Sequence, residues 1–245
     1  MTLFTIILAT FLITLCVWIA VLFMFFKKEV LDKILIFLVS LSAGALMGGA
    51  FLHLLPEASE AMSIDLLFGV FLVSFIIFFL IEKILHWRHC HKVDCSIHTF
   101  GYMNLVGDSV HNFIDGLVIA SVFMVDVKLG IATTLAVAIH EIPQEIGDYG
   151  VLIYAGFKRK MALILNYAVA LTVVLGGIAG YLLFSSLESF LPFLMPFAAG
   201  GFVYIAASDL MPEIRKESNL GKSIISFFVF IIGISLMYLI KIINH

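Results

Sequence analysis

Apolar runs of about 20 residues, the length a helix needs to cross the hydrocarbon core of a bilayer, recur from one end of this 245-residue chain to the other. A soluble domain of that size needs a hydrated surface. With 62% hydrophobic and 13% charged residues and a mean hydropathy of +1.16, this chain cannot supply one, so lipid is the solvent for most of its surface. The sequence predicts an all-α integral membrane protein with eight transmembrane helices, at Leu3 to Phe26, Ile34 to Leu55, Leu66 to Leu85, Phe100 to Val125, Leu129 to Phe157, Met161 to Phe184, Leu191 to Leu210 and Ile224 to Ile243. No stretch is left for a soluble domain, so residues 1–245 read as one polytopic membrane domain with a His- and Cys-containing loop at about 86–98. The first span lacks the basic leader and short apolar core of a cleavable signal and is followed by Lys27 and Lys28, so it is expected to stay as a helix.

Basic residues are distributed unevenly between the connecting loops. Of the 14 Lys and Arg residues, all but Lys128 and Lys241 fall in alternate loops: Lys27, Lys28, Lys33, Lys83, Arg88, Lys92, Lys158, Arg159, Lys160, Arg215, Lys216 and Lys222. The positive-inside rule assigns those loops to the cytoplasm, and an even number of spans then puts both termini on the extracytoplasmic side of a cell membrane, plasma or bacterial inner. Cys16 lies within a span and Cys90 and Cys95 in a cytoplasmic loop, so no disulfide framework is implied. The expected partner at this level is the lipid bilayer; a homodimer is compatible with the sequence, though nothing in it calls for one, and no nucleic acid is expected.

The second and seventh spans share landmarks. One runs from Ala43-Gly44 to His53-Leu54-Leu55-Pro56-Glu57, the other from Ala199-Gly200 to Asp209-Leu210-Met211-Pro212-Glu213, every landmark 156 positions apart. The charge pattern makes these two spans run in opposite directions. That suggests inverted repeats, helices 1–3 against 6–8, around a central pair. Secondary transporters are commonly built this way, with the substrate site near the midplane where the halves meet.

The central pair is where ionisable residues concentrate: Asp108, His111, Asn112 and Asp115 on the fourth span, and His140, Glu141, Gln144, Glu145 and Asp148 on the fifth. Each ionised group costs roughly 2.5 to 3.5 kcal/mol at a helix centre, so the five carboxylates together cost on the order of 12 to 17 kcal/mol. Neutralisation, water or a bound cation must offset that. At 100° per residue the four residues of the fourth span fall within an arc of roughly 100° and the five of the fifth within roughly 140°, one polar face on each helix. Imidazole nitrogens with carboxylate and amide oxygens suit Zn²⁺, Fe²⁺ or Mn²⁺ better than Cu(I). Pro143 cannot donate to the carbonyl of Ile139 and so releases a backbone oxygen beside the site. His53 and Asp209 are candidate path residues, while Glu57 reads as a solvated residue at a span end. His86, His89, Cys90, His91, Cys95 and His98 form a second candidate for metal capture or sensing that meets no standard zinc-finger spacing.

His111-Asn112-Phe113-Ile114-Asp115-Gly116 and, on the next span, His140-Glu141-Ile142-Pro143-Gln144-Glu145-Ile146-Gly147-Asp148-Tyr149 resemble the HNxxDG and HExPHELGDF motifs of the Zrt/Irt-like (ZIP) family of divalent-metal transporters. The resemblance covers all eight spans. It implies an influx carrier that brings Zn²⁺, with Fe²⁺, Mn²⁺ and Cd²⁺ as alternatives, into the cytoplasm by alternating access. The metal is the transported substrate, held between helices four and five, and no organic cofactor is implied. His111, Asn112, Asp115, His140 and Glu141 carry over directly, and Glu145 follows in the same motif. Gln144 departs from the family, which has His or Glu there, and this leaves the metal preference and a second bound ion open. Some relatives supply a further glutamate from helix six; Asn166 is the nearest substitute in this chain. The residues from His86 to His98 would receive the released ion, and protonation of the ligands would assist release.

Three other classes of protein could be built on such residues. An intramembrane metalloprotease would use His140-Glu141 as the start of an HExxH string, but Gln144 replaces the second His and Pro143 distorts the helix that must align both ligands. A haem protein ligated by His111 and His140 fits poorly with so many carboxylates. A non-transporting metal sensor would share the site and differ only in turnover. The reading is therefore of a carrier and not an enzyme.

Overall fold

In the computed structural model, which describes residues 2–89 and 98–244, the chain is helical and no strand is found among the described residues. Helix α1 runs from Thr2–Thr14 through a tighter 3₁₀ stretch, Leu15–Ala20, to Val21–Met24. Helix α2 is Lys28–Gly48, a π-helical turn Gly49–Leu54 and Leu55–Ala61. Then follow α3 (Ile64–His89), α4 (Thr99–Val125) and α5 (Val127–Tyr154). Helix α6 is Arg159–Ala170 and Thr172–Leu182, and α7 is Phe184–Tyr204, a π-helical turn Ile205–Leu210 and Met211–Arg215. Helix α8, Leu220–Asn244, completes the order.

Seven of these helices are long and apolar enough to cross a membrane, which makes this an all-helical, multi-pass membrane protein. The exception is α5, because Lys128, Glu141, Glu145 and Asp148 break its apolar character. Its periodicity explains how it is accommodated. Ile131, Leu135, Ile139 and Ile142 are exposed along one face, while His140, Glu141, Gln144, Glu145 and Asp148 are buried on the other. The polar face predicted from helical spacing is thus turned into the bundle and the apolar face outward.

Small residues set how closely the helices approach. At the crossing of α4 and α6, a side chain on Gly116 would run into the backbone of Val173, Gly176 and Gly177, and one on Gly176 into that of Phe113. Two backbones meet there with no side chain between them, the packing mode of helices in lipid. On the other flank Gly147 of α5 rests on Ser42 of α2, where a Cβ would stand 2.7 Å from the serine Cβ. The largest core cluster gathers Val39, Ala43 and Leu46 of α2, Met103 and Ile114 of α4, Tyr149 and Leu152 of α5, and Phe202 and Ile205 of α7. Helices α4 and α5 are joined by the single extended residue Asp126, so they lie as a tight hairpin within this framework. Of the His/Cys loop, Cys90 to Ile97 and the side chains of His86 and His89 lie outside the described residues, so the expectation for His86, His89 and His91 is not addressed by the fold.

Candidate metal centre

Helices α4 and α5 meet through paired polar residues at helical spacing. Asp115 faces His140, His111 faces Glu141, Asp108 faces Gln144, and Asn104 faces Asp148. All eight side chains are buried. The antiparallel hairpin explains the register, since positions 104, 108, 111 and 115 ascend one stripe while 148, 144, 141 and 140 descend the other.

The upper two pairs form a closed ring of alternating nitrogen and oxygen. His140 Nε2 is 3.0 Å from Asp115 Oδ2 and 3.7 Å from Glu141 Oε1. His111 Nε2 is 3.5 Å from Asp115 Oδ2 and 3.4 Å from Glu141 Oε1. One donor atom from each of the four residues lies within 4.8 Å of all the others. A tetrahedral Zn²⁺ with bonds of about 2.0 to 2.2 Å holds neighbouring donors roughly 3.3 to 3.6 Å apart, close to the four nitrogen–oxygen edges of the ring. His111 Nε2 and Glu141 Oε1 are buried and make no hydrogen bond. Buried polar atoms without a hydrogen bond are costly, and a cation held among the four donor atoms would satisfy both. The donor set, two imidazoles and two carboxylates, is that of a borderline divalent ion.

Below the ring the polar residues bond to one another. Gln144 Nε2 and Asn112 Nδ2 both donate to Asp108 Oδ1, at 3.1 and 2.8 Å. Asn166 of α6 donates to Glu145 Oε2 at 2.5 Å. Asp148 Oδ1 accepts from Asn104 at 3.0 Å and from Ser42 at 3.4 Å. Asp108, Glu145 and Asn166, all named from the sequence, therefore lie outside the ring. Asn104 and Ser42 were not anticipated. Asn104 is one turn before Asp108 on the same stripe, so continuing the periodicity would have found it; Ser42, on α2, has no such signal.

A narrow cleft opens onto the ring, lined by Gly49, His53, His111, His140, Phe202 and Met237 among others. His53 stands at its edge, its ring 6.1 Å from that of His140, and pairs with Glu57 at 4.0 Å. Asp209 is not at this site. It sits on the π-helical turn of α7, buried, close enough to Glu82 and Glu213 for their charges to interact. The His53 turn and the Asp209 turn are the π-helical segments Gly49–Leu54 and Ile205–Leu210, separated by the same 156 positions as the sequence landmarks.

The sequence model of the family described as ZIP zinc transporter matches residues 2–93 and 87–241. The chain belongs to the ZIP family. Among curated ZIP proteins it is 33% identical over 219 residues to zinc transporter ZIP13 of Pongo abelii, covering 82% of this chain and 65% of that protein. It is 30% identical over 259 residues to human zinc transporter ZIP13, covering 82% and 69%. Zinc transporter zipt-7.2 of Caenorhabditis elegans is 38% identical over 153 residues, covering 60% of this chain and 33% of that protein. The chain thus spans about two thirds of the length of the ZIP13 proteins and a third of the nematode protein.

Proposed function

We propose that this ZIP protein carries Zn²⁺ into the cytoplasm by alternating access, with the ion bound as substrate by His111, Asp115, His140 and Glu141. The observation that carries the reading is the ring of two imidazole nitrogens and two carboxylate oxygens with edges of 3.0 to 3.7 Å. The relatives are named as zinc transporters, which points to the same substrate. Fe²⁺, Mn²⁺ and Cd²⁺ are the competing ions for this donor set.

In this reading eight helices cross the membrane, α5 included because its polar face is enclosed by α4 and α2. Helices α1 to α3 and α6 to α8 form inverted repeats about the α4–α5 hairpin, a reading supported by the equal spacing of the two π-helical turns. The cleft beside His53 is the route in from the extracytoplasmic side. Both termini lie on that side, since the Lys- and Arg-rich loops belong in the cytoplasm. The ion sheds its water at the ring, and a rearrangement of the two halves then opens the opposite face.

The test is zinc entry into liposomes loaded with a metal-sensitive dye. Wild-type protein is expected to admit Zn²⁺ and His111→Ala to reduce the initial rate to that of empty liposomes, with both proteins folded and equally incorporated. Zinc entry through His111→Ala at the wild-type rate would rule out this ring as the transport site.

A further inference from the structure

Asp108 is a buried acidic residue of α4, one turn before His111, that is not among the four ring residues. The residue is 4% exposed, and its Oδ1 accepts hydrogen bonds from two amides, Asn112 Nδ2 at 2.8 Å and Gln144 Nε2 at 3.1 Å. Asn112 Nδ2 also reaches the backbone oxygen of Asp108 at 3.1 Å. An oxygen that receives two N–H groups carries no proton, and an amide whose nitrogen is committed presents its oxygen in the opposite direction.

We propose that Asp108 is a positioning residue: by holding the N–H ends of Asn112 and Gln144 it keeps them off the ring carboxylates and turns both amide oxygens away from itself. This rests on the reading of His111, Asp115, His140 and Glu141 as the metal site. Three observations support it. Asn112 Oδ1 is buried and has no hydrogen-bond partner among the described residues, and Gln144 lines the same cleft as His111 and His140. Glu141 Oε1 is likewise buried without a hydrogen bond, although Gln144 follows it by three residues on the same helix.

The physical alternative shows why this matters. An amide N–H in a site crowded with carboxylates donates to whichever acceptor is nearest. Released from the Asp108 carboxylate, Gln144, or the N–H of Asn112 that does not bond the backbone oxygen of Asp108, would donate to Glu141 or Asp115 and occupy the lone pairs the ion needs, besides presenting the positive end of the amide dipole to a cation. Asp108 supplies a competing acceptor outside the ring, so the ring oxygens stay available. Outer residues that orient ligands typically change metal affinity by about 10- to 100-fold when altered.

The test uses calorimetric titration of the detergent-solubilised full chain with Zn²⁺ and with Mn²⁺ alone. Asp108→Asn keeps the shape of the side chain, but its own amide can donate as well as accept, so it no longer dictates the orientation of the other two. It is expected to weaken Zn²⁺ binding by about 10-fold or more. In a Gln144→Leu, Asn112→Leu background, where no amide remains to be oriented, the same change is expected to have no further effect. A purely structural contribution of Asp108 would act in both backgrounds and would lower the melting temperature in each. Should Asp108→Asn fail to fold, Asp108→Ser, with a smaller and equally ambivalent hydroxyl, carries the same comparison. His111→Ala separates the two levels of the argument. If it leaves Zn²⁺ binding intact, the site reading fails and the proposal with it. If it abolishes binding while Asp108→Asn binds like wild type, or costs the same in both backgrounds, the positioning role alone is overturned.

Discussion

Gln144 shows how one side chain can tune a site whose remaining members are strong ligands. Its amide brings no charge and gives its N–H to Asp108 at 3.1 Å. An imidazole there would donate one ring nitrogen to Asp108 and turn the other toward the cleft, the usual arrangement by which a carboxylate orients a ligating histidine. Gln144→His is therefore expected to tighten Zn²⁺ binding by about 10-fold, equivalent to roughly 1.4 kcal/mol, and to raise the preference for Zn²⁺ over Mn²⁺, since nitrogen donors favour the former. Competition between the two ions in the liposome assay measures both. The polar faces of the two helices were legible in the sequence because 100° spacing places 108, 111, 112 and 115 together, and likewise 140, 141, 144, 145 and 148. Among these nine, the motif resemblance singles out His111, Asp115, His140 and Glu141, the four that converge, together with Asn112; how the remaining polar side chains pair across the two helices was not legible. That depends on the register between α4 and α5, set by the one-residue link at Asp126 and by packing against α2 and α6.

Helix type followed from apolar runs, but α2 starts at Lys28 and ends at Ala61 where Ile34 to Leu55 was expected, α7 runs from Phe184 to Arg215 where Leu191 to Leu210 was expected, and the interruptions inside the helices were not legible. The expected first span, Leu3 to Phe26, corresponds to a helix that tightens over Leu15–Ala20, and α2 and α7 widen by one π-helical turn each. No residue pattern announces a π-helical turn, because it arises where packing or function favours an extra residue in a turn. The contact between Gly116 and Gly176 is the clearest mechanical constraint on the site. It sits one residue beyond Asp115 and leaves no room for a Cβ on either glycine. Gly116→Val is expected to force α4 and α6 apart, at a cost of about 1 to 3 kcal/mol typical of overpacking. A lowered melting temperature in detergent would show the loss, together with weakened zinc uptake even though no proposed ligand is changed. An unchanged melting temperature would mean that the crossing relaxes without consequence.

For the molecule as a whole, the proposed inverted repeat makes a prediction that composition could not. Two turns related by 156 positions, one carrying His53 beside the cleft and one carrying Asp209 near Glu82 and Glu213, should face opposite compartments. In a background with the three native cysteines replaced, a membrane-impermeant thiol reagent is expected to label His53→Cys from the extracytoplasmic side. Asp209→Cys is expected to react only from the cytoplasmic side, and labelling of both from one side would rule out opposed repeats. The hairpin link at Asp126 also bears on biogenesis. Helix α5 falls short of the apolar character that the other seven helices have, and the stripe of α4 that holds His111 and Asp115 would meet hydrocarbon if α4 entered first and alone. With a single residue between them, the two helices are made within moments of each other and each can shield the other's charges. In the eight-helix reading the two are expected to insert as a pair, and a chain that ends between them is expected to insert poorly, because the charges of α4 then lack the shield of α5.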